Sequence, residues 1–132
     1  MIDFFIDGRS GVPPYLQIVH QVRQAILLGR LRVGDQLPPV REVVSKIAIN
    51  PNTVFKAYRD LEHLGVVEMR QGHGTFVRRA PRQVSSSELA AMRRSLLRWM
   101  KSAREAGLDP DSIRALFTET FQEAQRARAE TA

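Results

Sequence analysis

Residues 50–79 read NPNTVFKAYRDLEHLGVVEMRQGHGTFVRR, and the fold turns on them. Asn50 can cap a helix, and Pro51 suits the first helical position, where no amide hydrogen bond is lost. Val54, Ala57, Tyr58, Leu61 and Leu64 then recur at three- and four-residue steps. That spacing predicts an amphipathic helix from Pro51 to about Leu64 with these residues inward. Gly65 is placed to end it in a left-handed turn. Two short β-like runs follow, Val66–Arg70 and Thr75–Arg79. Gln71-Gly72-His73-Gly74 joins them, and glycines between strand-like runs predict a hairpin.

Upstream, Pro13-Pro14 opens a first helix with Leu16, Val19, Val22, Ile26 and Leu27 on its apolar side, and Gly29 stops it. Arg30–Pro38 reads as a turn or short extended piece. A second short helix is expected from Pro39, with Val40, Val43, Val44 and Ile47 inward, until Ala48-Ile49-Asn50 breaks the period. Downstream, residues 80–87 form a Pro- and Ser-containing linker, and Ser87 is a candidate cap for a fourth helix from Glu88 to Ala106. Leu89, Met92, Leu96, Trp99, Ala103 and Ala106 alternate three- and four-residue steps, a coiled-coil-like seam. Gly107-Leu108-Asp109-Pro110 stops that helix and starts a fifth, to about Arg128, with Ile113, Leu116, Phe117, Phe121 and Ala124 on one side. The expected fold is mainly α with a small β-wing. A winged helix-turn-helix (residues 1–79) is followed by the linker and a C-terminal helical hairpin (residues 88–132).

Composition narrows the function. With 132 residues and 43% hydrophobic side chains the chain can build a packed core. No cysteine is present, so disulfides, thiolate metal sites and cysteine nucleophiles are excluded. The start MIDFFIDGRS lacks signal-peptide character, and no apolar stretch approaches the roughly 18 residues of a membrane span. A cytoplasmic protein without membrane attachment is the expectation. The net charge of +6 favours an anionic partner. Residues 1–80 carry eleven basic and seven acidic side chains, so the excess leans towards the N-terminal part.

In a helix-turn-helix, the second of the paired helices enters the major groove and its first residues reach base edges. Here that helix starts at Pro51 and turns Asn52, Thr53, Phe55, Lys56 and Arg59 outward. Asn can pair bidentately with adenine, Thr offers a hydroxyl and a methyl, and Lys can reach guanine or phosphate. Phe55 either touches a thymine methyl or folds back onto the first helix. By pattern alone, the same polar face also suits a merely solvated helix.

Ordered motifs decide between these readings. PxYLQI, GxLxxGDxLP, VRE, NPNTVxxAYxxLE, LG and GxGTFV follow one another across residues 12–79. Together they resemble the DNA-binding domain of the GntR family of bacterial regulators. The INPNT and AYRDLE wording and the short tail resemble its YtrA-type subfamily. The resemblance implies a homodimeric regulator, more often a repressor, that binds a pseudo-palindromic operator in double-stranded DNA; members of the subfamily often control transporter genes. It implies that Arg41 meets a phosphate or a guanine. Asn50, Asn52, Thr53 and Lys56, with Arg59 beyond them, lie at the groove-facing start of the third helix. Gln71, Gly72, His73 and Gly74 form the wing tip, and Arg70 and Arg78 flank it. Four positions depart from the family pattern: Pro39 replaces a common Ser, Val43-Val44 a Leu-Ala pair, and Pro51 a common Arg. A capping hydroxyl and a base-reading cation are thereby lost, which shifts weight to Lys56 and Arg59.

About 45 C-terminal residues are too few for an enclosed effector domain. The expected dimer interface is Leu89, Met92, Leu96, Trp99, Ala103, Phe117 and Phe121, because short helices with a strong seam rarely bury it alone. Any effector, whose identity is unknown, is expected near Trp99, Phe117 and Phe121. Enzyme activity is not expected, nor any cofactor, metal or catalytic residue. His20, His63 and His73 are scattered without metal-ligand spacing, and no nucleophile or phosphate-loop motif occurs. The rival reading is a winged helix that binds protein or RNA without operator specificity. Against RNA, its deep, narrow major groove would not admit the third helix.

Overall fold

The computed structural model describes residues 2–80 and 84–131. The elements run α1 (Pro14–Leu27), α2 (Val40–Ile47), α3 (Pro51–His63), β1 (Val67–Arg70), β2 (Gly74–Val77), α4 (Ser86–Glu105) and α5 (Pro110–Thr131). Two compact units divide the chain, Met1–Val84 and Ser85–Ala132. The first is a winged helix-turn-helix and the second a helical hairpin. Among the described residues no helix is long and apolar enough to cross a membrane.

In the first unit α3 packs on α1, α2 and β1. Ile18 and Val22 of α1 meet Val54 and Leu61 of α3 in a core closed by Leu37, Val67 and Val77. Each such aliphatic side chain contributes about 1.5–3 kcal/mol on burial, and this sum holds the helices together. The ends of α3 follow from local chemistry. Asn50 Oδ1 accepts the Asn52 amide at 2.8 Å, so the cap holds an otherwise orphaned donor. At the other end Gly65 takes φ +76°, the Gly65 amide donates to Glu62 O and the Val66 amide to Leu61 O. This pattern needs a left-handed residue, which glycine adopts without steric cost.

Several expectations need correction. Leu27 and Leu64 were placed on apolar faces but are 62% and 55% exposed. Each lies at a helix end, where the chain turns away and leaves it only partly covered. In α1 the buried face includes Gln17, Ile18 and Ala25 as well. Pro39 caps α2 from outside instead of opening it, with no side-chain hydrogen bond. Ala48 ends α2 in the left-handed region at φ 48°. Both strands are shorter than expected, because the ladder pairs only Val67 with Val77 through Arg70 with Gly74. The cap of α4 is Ser85, whose Oγ accepts the Glu88 amide at 3.2 Å; Ser87 lies inside the helix. Of the expected linker, residues 81–83 lie outside the described residues and 86–87 belong to α4. Helix α5 runs to Thr131 rather than Arg128.

Two features strengthen the first unit beyond its helices. Gln36 bridges Phe76, the Leu37 amide donates to Thr75 O, and the Val77 amide donates to Asp35 O. The extended piece before α2 therefore lies along β2. At the N-terminus, the amides of Phe5 and Asp7 donate to the side-chain oxygens of Gln21 (3.0 Å) and Gln17 (2.8 Å). Those two glutamines donate back to the carbonyls of Phe5 and Asp7. Side chains four apart on α1 thus serve as a strand partner for the leading segment. Phe4 is held in the core as a result.

In the second unit Ala103 is buried, Leu89 and Trp99 are half-buried, and the other expected seam residues are exposed: Met92 and Leu96 on α4, and Ala106, which is the C-cap and not part of the helix. Trp99 and Phe117 lie 6.4 Å apart by ring centroid, and Phe117 stacks on Phe121 at 6.1 Å. Both phenylalanines remain exposed. Asp109 Oδ1 accepts the Ser112 amide at 2.7 Å. That backbone hydrogen bond favours the ionised carboxylate and holds its pKa below the usual value.

Candidate nucleic-acid interface

Helix α3 and its cap carry five of the candidate residues, Asn50, Asn52, Thr53, Lys56 and Arg59. Asn52, Lys56 and Arg59 are exposed, while Thr53 is half-buried beside Val54. Asn50 is exposed, but its side-chain oxygen is committed to the cap, which leaves the amide nitrogen free to donate outward. Phe55 is 44% exposed and is not part of the buried core. Arg41 is exposed at the second residue of α2.

The angle between α2 and α3 is tied by Tyr58. Its hydroxyl donates to Pro38 O at 2.6 Å in the interior. Burial, with the negative charge of Glu42 adding to it, raises the phenol well above its usual pKa, so the group stays a donor. Pro38 immediately precedes the cap of α2, and the bond therefore joins α3 to the start of α2.

The wing tip consists of exposed Gln71, Gly72, His73 and Gly74. Pro39 and Gln36 line one surface groove with these four residues, which puts the start of α2 beside the wing. Gln36 Nε2 donates to His73 O at 3.2 Å. Gly74 has φ +123°, and a Cβ there would overlap the Gln36 amide. Backbone conformation is what calls for glycine here, since the overlap falls on the movable end of the Gln36 side chain. Arg70 is less free than the sequence suggested. Its Nε donates to Glu68 Oε1 at 3.2 Å, and its guanidinium lies 4.4 Å from the Phe76 ring centroid. Part of its charge is compensated before any ligand arrives. Arg78 is exposed just beyond β2.

Sequence reading missed three contributors: Tyr15, Gln36 and the Tyr58 hydroxyl. Lys56 Nζ sits 4.0 Å from the centroid of the Tyr15 ring. The PxYLQI motif marked Tyr15 without a role, and Tyr58 was read only as a core residue. Nothing in the neighbours of Gln36 signals a wing contact. Of the seven expected interface residues of the second unit, the structure brings together Trp99, Phe117 and Phe121. Among the described residues no cluster of His, Asp or Glu could hold a metal ion.

The family model for bacterial regulatory proteins of the gntR family matches residues 14–77. The HTH-type transcriptional repressor YtrA of Bacillus subtilis (strain 168) is 36% identical over 109 residues, covering 82% of this chain and 84% of the relative. The crystal structure of a transcriptional antiterminator from Listeria monocytogenes EGD-e shares 32% identity over 92% of each chain, with a TM-score of 0.60. The DNA-binding domain of AraR, crystallised in complex with an operator, shares 25% identity over 58% of this chain and 95% of its own, with a TM-score of 0.51.

Proposed function

The chain belongs to the gntR family of bacterial regulatory proteins, with YtrA-type relatives, and from that premise we propose that it is a repressor gripping a pseudo-palindromic operator as a homodimer. It is a DNA-binding transcriptional regulator and not an enzyme. The observation that carries the reading is the exposed face at the start of α3, where Asn52 on the first turn and Lys56 and Arg59 on the next two face outward beside Asn50. In this reading the start of α3 enters the major groove, led by Asn52. Arg41 and Arg78 meet phosphates, and Gln71–Gly74 follow the backbone towards the minor groove. The named activities of the relatives, repression by YtrA and operator binding by AraR, support it.

The dimer is carried by the second unit. Met92, Leu96, Phe117 and Phe121 stay exposed on a two-helix hairpin, and a second copy would cover them. A two-fold pair of reading heads matches inverted half-sites about one helical turn apart. Location in the cytoplasm follows from the role, and control of transporter genes from the subfamily resemblance.

Selection of bound duplexes from a random pool tests the reading. Inverted repeats at fixed spacing are expected. An unenriched pool, or a single half-site, would overturn it. Binding to the recovered duplex should weaken steeply with salt, because each neutralised phosphate releases a counterion.

A further inference from the structure

Lys56 has a special position among the cations of the candidate interface. It lies on the second turn of α3, past Asn52 and Thr53, and its ammonium rests on the ring of Tyr15, the second residue of α1. Among the described residues no carboxylate forms an ion pair with it. Arg70, by contrast, has Glu68 and the Phe76 ring. The difference matters chemically. A carboxylate neutralises a cation, whereas an aromatic face attracts it and leaves its charge and its outward N–H donors available. A lysine stem also has four rotatable bonds, and ordering them opposes its use at an interface. A ring that holds the ammonium beforehand lowers that loss.

We propose that Tyr15 is a positioning residue for DNA recognition: its ring holds the Lys56 ammonium at the start of α1, where it contacts a backbone phosphate and not a base edge. The proposal deepens the operator-binding reading and rests on it. Tyr15 is half-buried and packs against the core, so its ring is a fixed platform and not a second mobile group. Lys56 at that end of α1 is offset from the first turn of α3, where base contacts belong. Its contribution is therefore to affinity and register.

A double-mutant cycle in the full chain tests this, with Tyr15→Phe, Tyr15→Leu, Lys56→Ala and the Tyr15→Leu/Lys56→Ala pair. Fluorescence anisotropy against the selected duplex and a scrambled one is recorded over a salt series. Lys56→Ala should weaken both duplexes alike and lower the salt slope by about 1. Tyr15→Phe should match the wild type. Tyr15→Leu should weaken binding about two- to five-fold, the scale of an exposed cation–π contact, and add nothing once Lys56 is gone. An effect of Tyr15→Leu that persists without Lys56 would overturn the proposal. So would a null effect of Tyr15→Leu, a Tyr15→Phe defect, or a changed base preference in Lys56→Ala. Should Tyr15→Leu unfold, proton NMR of the wild type and Tyr15→Phe decides. The Lys56 Cε protons should show an upfield ring-current shift in both, and its absence overturns the pairing. If the wild type binds no duplex, the operator reading falls and this proposal with it; if it binds and the cycle is additive, only the role of Tyr15 falls.

Discussion

Removing one oxygen atom, in Tyr58→Phe, should cost the first unit about 2 kcal/mol. The Tyr58 hydroxyl donates to Pro38 O at 2.6 Å, and both residues are buried. Phenylalanine fills nearly the same volume, so no sizeable cavity forms. What remains is a buried carbonyl without a donor, for which the typical loss is about 1–3 kcal/mol. That is a large part of the roughly 5–15 kcal/mol by which a small domain is stable. In urea, with a slope of about 1–3 kcal/mol per molar, the midpoint should fall by about 1 M with the slope unchanged. Far-UV circular dichroism follows the transition. Trp99, the only tryptophan, reports the second unit by fluorescence and serves as the comparison. The pH dependence gives a second reading. The folded chain keeps Tyr58 protonated, chiefly by burial, with Glu42 adding to the effect, so the unfolded chain releases that proton first. The stability contributed by the neutral phenol is complete below pH 10 and is lost as pH rises above it. The advantage of the wild type over Tyr58→Phe should shrink there. A midpoint shift worth less than about 0.5 kcal/mol at neutral pH, within the range of an ordinary surface change, would refute the strut between α2 and α3.

Other perturbations have equally definite signs. Gly74→Ala puts a Cβ into the Gln36 amide at φ +123° and should destabilise by about 1–3 kcal/mol in thermal unfolding; adding Gln36→Ala should restore only part, because the backbone strain remains. Ala48→Gly should raise the melting temperature, with a gain of about 0.5–1 kcal/mol, since Ala48 ends α2 at φ 48° and glycine tolerates that region. A chain truncated after Val84 should sediment as a monomer while the full chain sediments as a dimer; a dimer that survives truncation would move the interface into the first unit.

The site was legible in the sequence to the extent that it depends on one helix. Asn50, Pro51 and Gly65 mark the limits of α3, and the apolar spacing leaves Asn52, Lys56 and Arg59 outside. Arg41 and the wing residues came from ordered motifs, not from periodicity, because a short helix and a hairpin carry too little pattern. Phe55 stayed open in the sequence: an aromatic on a polar face either packs or projects, and only its neighbours decide. Leu27 and Leu64 show the same limit in reverse. Both continue an apolar period, but a period describes direction around an axis and not whether anything lies in that direction.

The sequence by itself determined the order, type and approximate ends of the elements. Caps, prolines and glycines act within a turn or two of themselves, so their effects are written locally. It also carried the motif order that identifies the family. Only the tertiary structure decided which groups meet across the chain: Tyr58 with Pro38, Gln36 with His73, Lys56 with Tyr15, and Gln17 and Gln21 with the leading segment. These pairs join residues of ordinary local character, and none has a periodic signature. They arise because packing α1, α2 and β1 around α3 fixes distances between distant parts of the chain, and polar groups then take the partners that the packed backbone leaves within reach.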